Sequence, residues 1–187
     1  MSNYTKKDVD MIKGKEDEIR FAKHINSIGY TIIGREKKSD DYEKHIDFSI
    51  LLDIAYIFDF KGESKEGHNK GLKGFTCIET QNVNGNIGWF LSKHINSLVF
   101  ELPDTYILVN ILTMRKFVEE KMKNEFFINT YKPNEHYKYY TRSRCGRNDI
   151  MFYMPFKDIE PFIIKTFHKN LDYYLNYHHD QDLYYIL

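Results

Sequence analysis

The fold turns on one stretch, His45-Ile46-Asp47-Phe48-Ser49-Ile50-Leu51-Leu52-Asp53-Ile54-Ala55-Tyr56-Ile57-Phe58-Asp59-Phe60-Lys61. It reads as two strands, 45–52 and 54–61, joined at Asp53. Strand side chains alternate between faces. Ile46, Phe48, Ile50 and Leu52 therefore share one face of the first strand, with Asp47 and Ser49 on the other. In the second strand Ile54, Tyr56, Phe58 and Phe60 share a face, opposite Ala55, Ile57, Asp59 and Lys61. Asp47 and Asp59 each lie six residues from Asp53, so a hairpin centred there sets them directly opposite one another. Like charges in that position destabilise a sheet, and two facing carboxylates imply a cation between them. Lys61 follows one pleat further along the same face.

Outward from the hairpin, residues 15–29 predict a helix: Ile19, Ala22, Ile25 and Ile28 recur at helical spacing and Gly29 ends the run. A short strand is expected at 30–33 and a polar loop at 35–44. Beyond the hairpin, 62–74 reads as a loop and 75–82 as a strand. Asn84-Gly85 signals a hairpin turn, with a return strand at 87–91. Further strands are expected at 97–102, 105–112 and 150–154. Helices are expected at 113–123, capped by Thr113, and from about residue 159, with Pro161 in the first turn. The order predicts one α/β domain over 1–187, with a mixed central β-sheet of four to six strands flanked by helices.

Composition narrows the function. The 187 residues are 42% hydrophobic, enough for one core, and 27 basic residues balance 27 acidic ones. Nucleic-acid binding would need a local basic face, since bulk charge supplies none. No apolar run approaches the roughly 18 residues of a membrane span, and no apolar segment follows Lys6-Lys7 as in a signal peptide. Cys77 and Cys145 are far apart and form no zinc-binding pair. An intracellular, cytoplasmic protein with no membrane partner is expected. The abundance of Lys, Asn, Ile and Tyr fits AT-rich coding, as in phages and large viruses and also in many bacteria. There is no HExxH, Walker loop or G-x-S-x-G, which counts against metalloproteases, P-loop ATPases and α/β hydrolases.

Two facing carboxylates and a lysine suit phosphodiester hydrolysis. Hard carboxylate oxygens take Mg²⁺ or Mn²⁺, and such a metal polarises a phosphate and lowers the pKa of a bound water. Asp47, followed twelve positions later by Asp59-Phe60-Lys61, resembles the split signature of the PD-(D/E)XK nuclease superfamily, with Ile46 where its proline usually stands. Those nucleases usually carry an acidic residue on a helix before the core strands, and Glu18 fits that place. The layout is similar to Holliday-junction resolvases and phage recombination endonucleases, over roughly residues 15–82. The resemblance implies a restriction-endonuclease-like core and hydrolysis of nucleic acid, DNA ahead of RNA. It implies metal held by Glu18, Asp47, Asp59 and the Phe60 carbonyl, with Lys61 serving the water. It also implies a homodimer as one way to cut two strands.

Other segments offer support. Glu79 and Gln81 share a strand face and would reach the site if that strand adjoined 54–61. Trp89, the only tryptophan, is read as buried core ahead of a base-stacking platform. Arg142, Arg144 and Arg147 form a candidate phosphate clamp, and Lys65, His68, Lys70 and Lys73 a basic loop just past Lys61. His45 is a candidate auxiliary group that more often would be merely satisfied or exposed. Two rival readings are a non-catalytic nucleic-acid-binding module and a viral interaction protein that captures a host factor through its aromatic C-terminal half, which exposed tyrosines at 173–185 would favour.

Overall fold

The computed structural model describes residues 6–34, 44–61, 74–125, 127–128, 135–141 and 148–169. Helix α1 (Lys6–Ser27) leads into strands β1 (Ile32–Gly34), β2 (Phe48–Leu51) and β3 (Ala55–Lys61). Then come β4 (Phe75–Gln81), β5 (Ser97–Glu101), β6 (Thr105–Asn110), α2 (Ile111–Met122), β7 (Phe127–Ile128), β8 (Tyr139–Thr141), β9 (Ile150–Pro155) and β10 (Ile163–His168). They form two sheets: a six-stranded one ordered β1-β2-β3-β5-β6-β10 and a four-stranded one ordered β4-β9-β8-β7. In the larger sheet only β3 and β5 run parallel. The architecture is thus mixed α/β, as expected. Among the described residues no helix is long and apolar enough to cross a membrane.

Helix α1 starts at Lys6, well before the expected residue 15. Its end is legible. Gly29 at φ +91° closes a Schellman motif, with Tyr30 N–H donating to the Ile25 carbonyl (3.2 Å) and Gly29 N–H to that of Asn26 (3.1 Å). The buried stripe of α1 is Asp17, Phe21, His24 and Ile25, and Ile28 is exposed. Phe21 and Ile25 pack on Phe48, Ile50, Phe58 and Phe60 of β2 and β3, and on Val99, Tyr106, Leu108 and Phe167. The other face of the large sheet presents Leu98, Phe100, Ile107 and Val109 to the second sheet (Ile78, Phe152, Met154) and to α2 (Met114, Val118). Ile46 departs from its expected face: it packs against this second cluster, because regular pairing starts only at Phe48 and His45 has a left-handed backbone (φ 57°).

Three expectations are corrected. The chain turns at Asn82–Asn86, with Gly85 at φ +86°, but 87–91 is no return strand. A single bridge joins Gln81 to Ile87, and Trp89–Leu91 forms a 3-10 turn whose Trp89 and Phe90 are buried. A Cβ on Gly88 would lie 2.5 Å from the Glu79 carbonyl oxygen, so this segment is pressed against β4 more closely than a side chain allows. Helix α2 is capped by Asn110 and not Thr113: Asn110 Oδ1 accepts from the N–H groups of Leu112 (3.0 Å) and Thr113 (3.1 Å). Among the described residues no α-helix follows residue 159. Two short 3-10 turns, Phe156–Asp158 and Glu160–Phe162, lead into β10, whose β-branched Ile163, Ile164 and Thr166 suit an edge strand paired with β6.

Candidate metal centre

The β2–β3 register pairs Phe48 with Phe58, Ser49 with Ile57, Ile50 with Tyr56 and Leu51 with Ala55. Regular pairing stops one residue short of Asp47 and Asp59, whose carboxyl groups nevertheless interact. The ladder is distorted there: Asp47 N–H donates to the Phe58 carbonyl (3.0 Å), and Asp47 Oδ2 accepts from Phe60 N–H (2.7 Å). A side-chain oxygen thus stands where a strand carbonyl would. Within a strand a residue's N–H and C=O face the same neighbour, so the Phe60 carbonyl also points to the Asp47 side. The Phe60 ring lies on the opposite face of the sheet, among the α1 contacts.

Asn96 fixes β3 from its other edge. Its Oδ1 accepts from Ile57 N–H (2.9 Å), its Nδ2 donates to the Ala55 carbonyl (3.1 Å), and its N–H donates to the Ile57 carbonyl (2.9 Å). Ser97 Oγ donates to the same Ile57 carbonyl (3.2 Å), and Asp59 pairs with Leu98 in the parallel ladder. Asp47 and Asp59 are both buried, at 6% and 5% exposure. Burial pushes the Asp59 carboxyl well above the usual range; Lys61 opposes this, and Asp47 adds to it by repulsion and by a hydrogen bond. Lys61 Nζ lies 2.5 Å from Asp59 Oδ2 but off the direction a hydrogen bond needs, so this buried oxygen has a charged neighbour and no aligned donor. The same Nζ sits 4.6 Å from the centroid of the Trp89 ring.

The segment Ile87–Ser92 runs along this side of the site. His45 Nε2 is 3.1 Å from the Ile87 carbonyl oxygen, and Ser92 Oγ donates to the Lys44 carbonyl (2.5 Å). From behind, Arg115 of α2 donates to the carbonyls of Phe90 (Nε, 2.5 Å) and Ser92 (Nη2, 2.6 Å).

The structure therefore brings Asp47, Asp59, Phe60 and Lys61 together. Glu18 does not join them. It lies on α1, across the sheet from the Asp59 side chain, with its carboxylate 3.8 Å from Lys15 Nζ. Among the described residues no group of three or more His, Cys, Asp or Glu is gathered tightly enough to hold a metal. Gln81 and Glu79 do not adjoin β3, whose neighbours are β2 and β5; β4 pairs with β9 in the other sheet. The Gln81 amide instead donates to the Asn148 carbonyl (2.6 Å) and so ties the two strands. Lys65, Lys70, Lys73, Arg142, Arg144 and Arg147, and the aromatic segment 173–185, lie outside the described residues. Sequence reasoning missed Asn96 and Arg115, which act on backbone atoms and leave no motif.

The residues present fit a divalent cation on two grounds. Asp59 Oδ2 is a buried acceptor without an aligned donor, and two hard carboxylates lie beside a strand carbonyl. Mg²⁺ commonly takes one or two carboxylates and completes its shell with waters and phosphate. No protein-family model, no curated protein and no solved structure matches this chain, so the geometry of the site carries the functional reading alone.

Proposed function

We propose that the chain is a metal-dependent nuclease of PD-(D/E)XK type with a restriction-endonuclease-like core, hydrolysing nucleic-acid phosphodiester bonds, DNA ahead of RNA. The observation that carries this reading is the buried pair of interacting carboxylates, Asp47 and Asp59, with Lys61 on that of Asp59. Asp47, Asp59 and the Phe60 carbonyl would hold Mg²⁺ or Mn²⁺. A bound cation would supply Lewis-acid polarisation of a phosphate and a water of lowered pKa. Asp47 is kept in place by Phe60 N–H. Lys61, its side chain 28% exposed, holds its ammonium beside the carboxylates, where it orients an attacking water and offsets charge on the pentavalent phosphorus.

The test is cleavage of labelled single-stranded, double-stranded and branched DNA and of RNA, with Mg²⁺, Mn²⁺ or EDTA, for wild type, Asp59→Ala and Lys61→Ala. Metal-dependent cutting lost in both variants is expected. Wild-type rates from Asp59→Ala would sink the assignment. A second reading is a nucleic-acid-binding module on the same fold, favoured in that among the described residues no third carboxylate is gathered beside the pair; binding without cutting, indifferent to EDTA, would establish it.

A further inference from the structure

We infer that Trp89 is the positioning residue for Lys61, holding its ammonium against the carboxylate pair; the catalytic consequence rests on the nuclease reading above. The indole is 6% exposed and belongs to the core between the sheets, so it offers no platform for a base. Its ring face is instead engaged by Lys61 Nζ at 4.6 Å, while Asp59 Oδ2 meets the same nitrogen at 2.5 Å. An ammonium caught between a carboxylate and a π-face loses most of its rotamer freedom, and a ring quadrupole attracts a cation most strongly where water is scarce.

The indole is itself built in. Gly88 N–H donates to the Thr80 carbonyl (2.9 Å), and only glycine fits against β4 there. Arg115 grips the carbonyls of Phe90 and Ser92 on the following residues. The Phe90 ring packs edge-on against Phe152 at 5.8 Å. His45 and Lys44, just before Asp47, contact the same segment through Ile87 and Ser92. One rigid stretch of chain thus touches both the strand that carries Lys61 and the approach to Asp47. Its placement is what an attacking-water lysine requires: a charge held to one position, not a mobile surface side chain.

Trp89 is the sole tryptophan, so its emission reports this contact without ambiguity. The experiment compares the emission of the full, metal-free chain in wild type, Lys61→Met and the control Lys165→Met, whose ammonium lies over Tyr30 and not Trp89. Lys61→Met is expected to shift the intensity or maximum and Lys165→Met to leave both unchanged. Unchanged emission in Lys61→Met overturns the inference without disturbing the core. In cleavage, Trp89→Leu is expected to lower kcat about tenfold with KM and metal requirement unaltered, and Trp89→Phe to recover part of it. A folded Trp89→Leu protein with wild-type kcat overturns the positioning role while leaving the nuclease reading intact. A wild-type chain inert on every substrate overturns the nuclease reading and with it the catalytic role, and emission then decides the contact alone.

Discussion

Glu101→Gln is expected to destabilise the protein by about 3 kcal/mol. Glu101, 4% exposed at the end of β5, accepts from Arg20 Nη2 at 3.0 and 3.3 Å and from Lys169 Nζ at 2.9 Å. Arg20 also donates to Asp17 at 2.7 Å, so among the described residues two carboxylates face two cations here. Burial alone would lower the Arg20 pKa; Glu101 and Asp17 reverse this and hold it above its ordinary value, which shows how strongly the anions act. The amide keeps the shape but strands one positive charge. Removing one partner of a buried pair costs about 3–5 kcal/mol. The low end applies because Arg20 retains Asp17 and its side chain is 23% exposed, and because the amide oxygen still accepts one bond. Lys169, its side chain 9% exposed, keeps the Tyr106 ring at 4.8 Å. For a chain of this size the midpoint should fall by about 6–12 °C, read by circular dichroism at pH 7. Adding Lys169→Met to Glu101→Gln should restore part of the loss by removing the stranded ammonium. A single variant within about 0.5 kcal/mol of wild type, or a double variant as unstable as the sum of its parts, would refute the reasoning.

The buried carboxyl and the buried imidazole give opposite pH dependences. Burial lowers the His24 pKa below 6.5, the His168 backbone opposes this, and Lys169 adds to it. The unfolded chain then binds the extra proton, so stability falls as pH drops below 6.5; melting from pH 8 to 5 should show this slope, flattened in His24→Phe. Asp59 is raised from 3.8, so metal-free stability falls as pH rises above that value. Asp59→Asn should accordingly melt higher than wild type at pH 7 in EDTA and gain nothing from Mg²⁺, whereas wild type should gain; a metal-free Asp59→Asn protein less stable than wild type would contradict the account.

The hairpin that carries Asp47, Asp59 and Lys61 was legible because its determinants are local. Alternating apolar residues and one turn residue fix the β2–β3 register, and just past its end the carboxyls of Asp47 and Asp59 meet. The strands at Ser97–Glu101 and Thr105–Asn110 were equally plain, since each is nearly continuous in apolar residues. What escaped depends on distant partners. The second sheet joins β4 to β9, and no local pattern at Phe75–Gln81 announces a strand some seventy residues on. Trp89–Leu91 has strand-like residues but turns into the core, because Gly88 abuts β4 and Arg115 holds the carbonyls that a strand would have paired. Glu18 has helical spacing in its favour, yet the helix face that packs on the sheet is set by Phe21 and Ile25, which leaves Glu18 across the sheet from Asp59.

The turn at Leu52–Ile54 also bears on the order in which the chain matures. It brings Asp47 and Asp59 together across a loop of three residues, a closure that hairpins complete in about 1–10 μs. The indole beside Lys61 comes from residue 89, and the arginine that fixes it from residue 115. Contacts of that separation form late. On that ground the acidic pair is expected to assemble before Lys61 meets the indole, which must await the docking of α2.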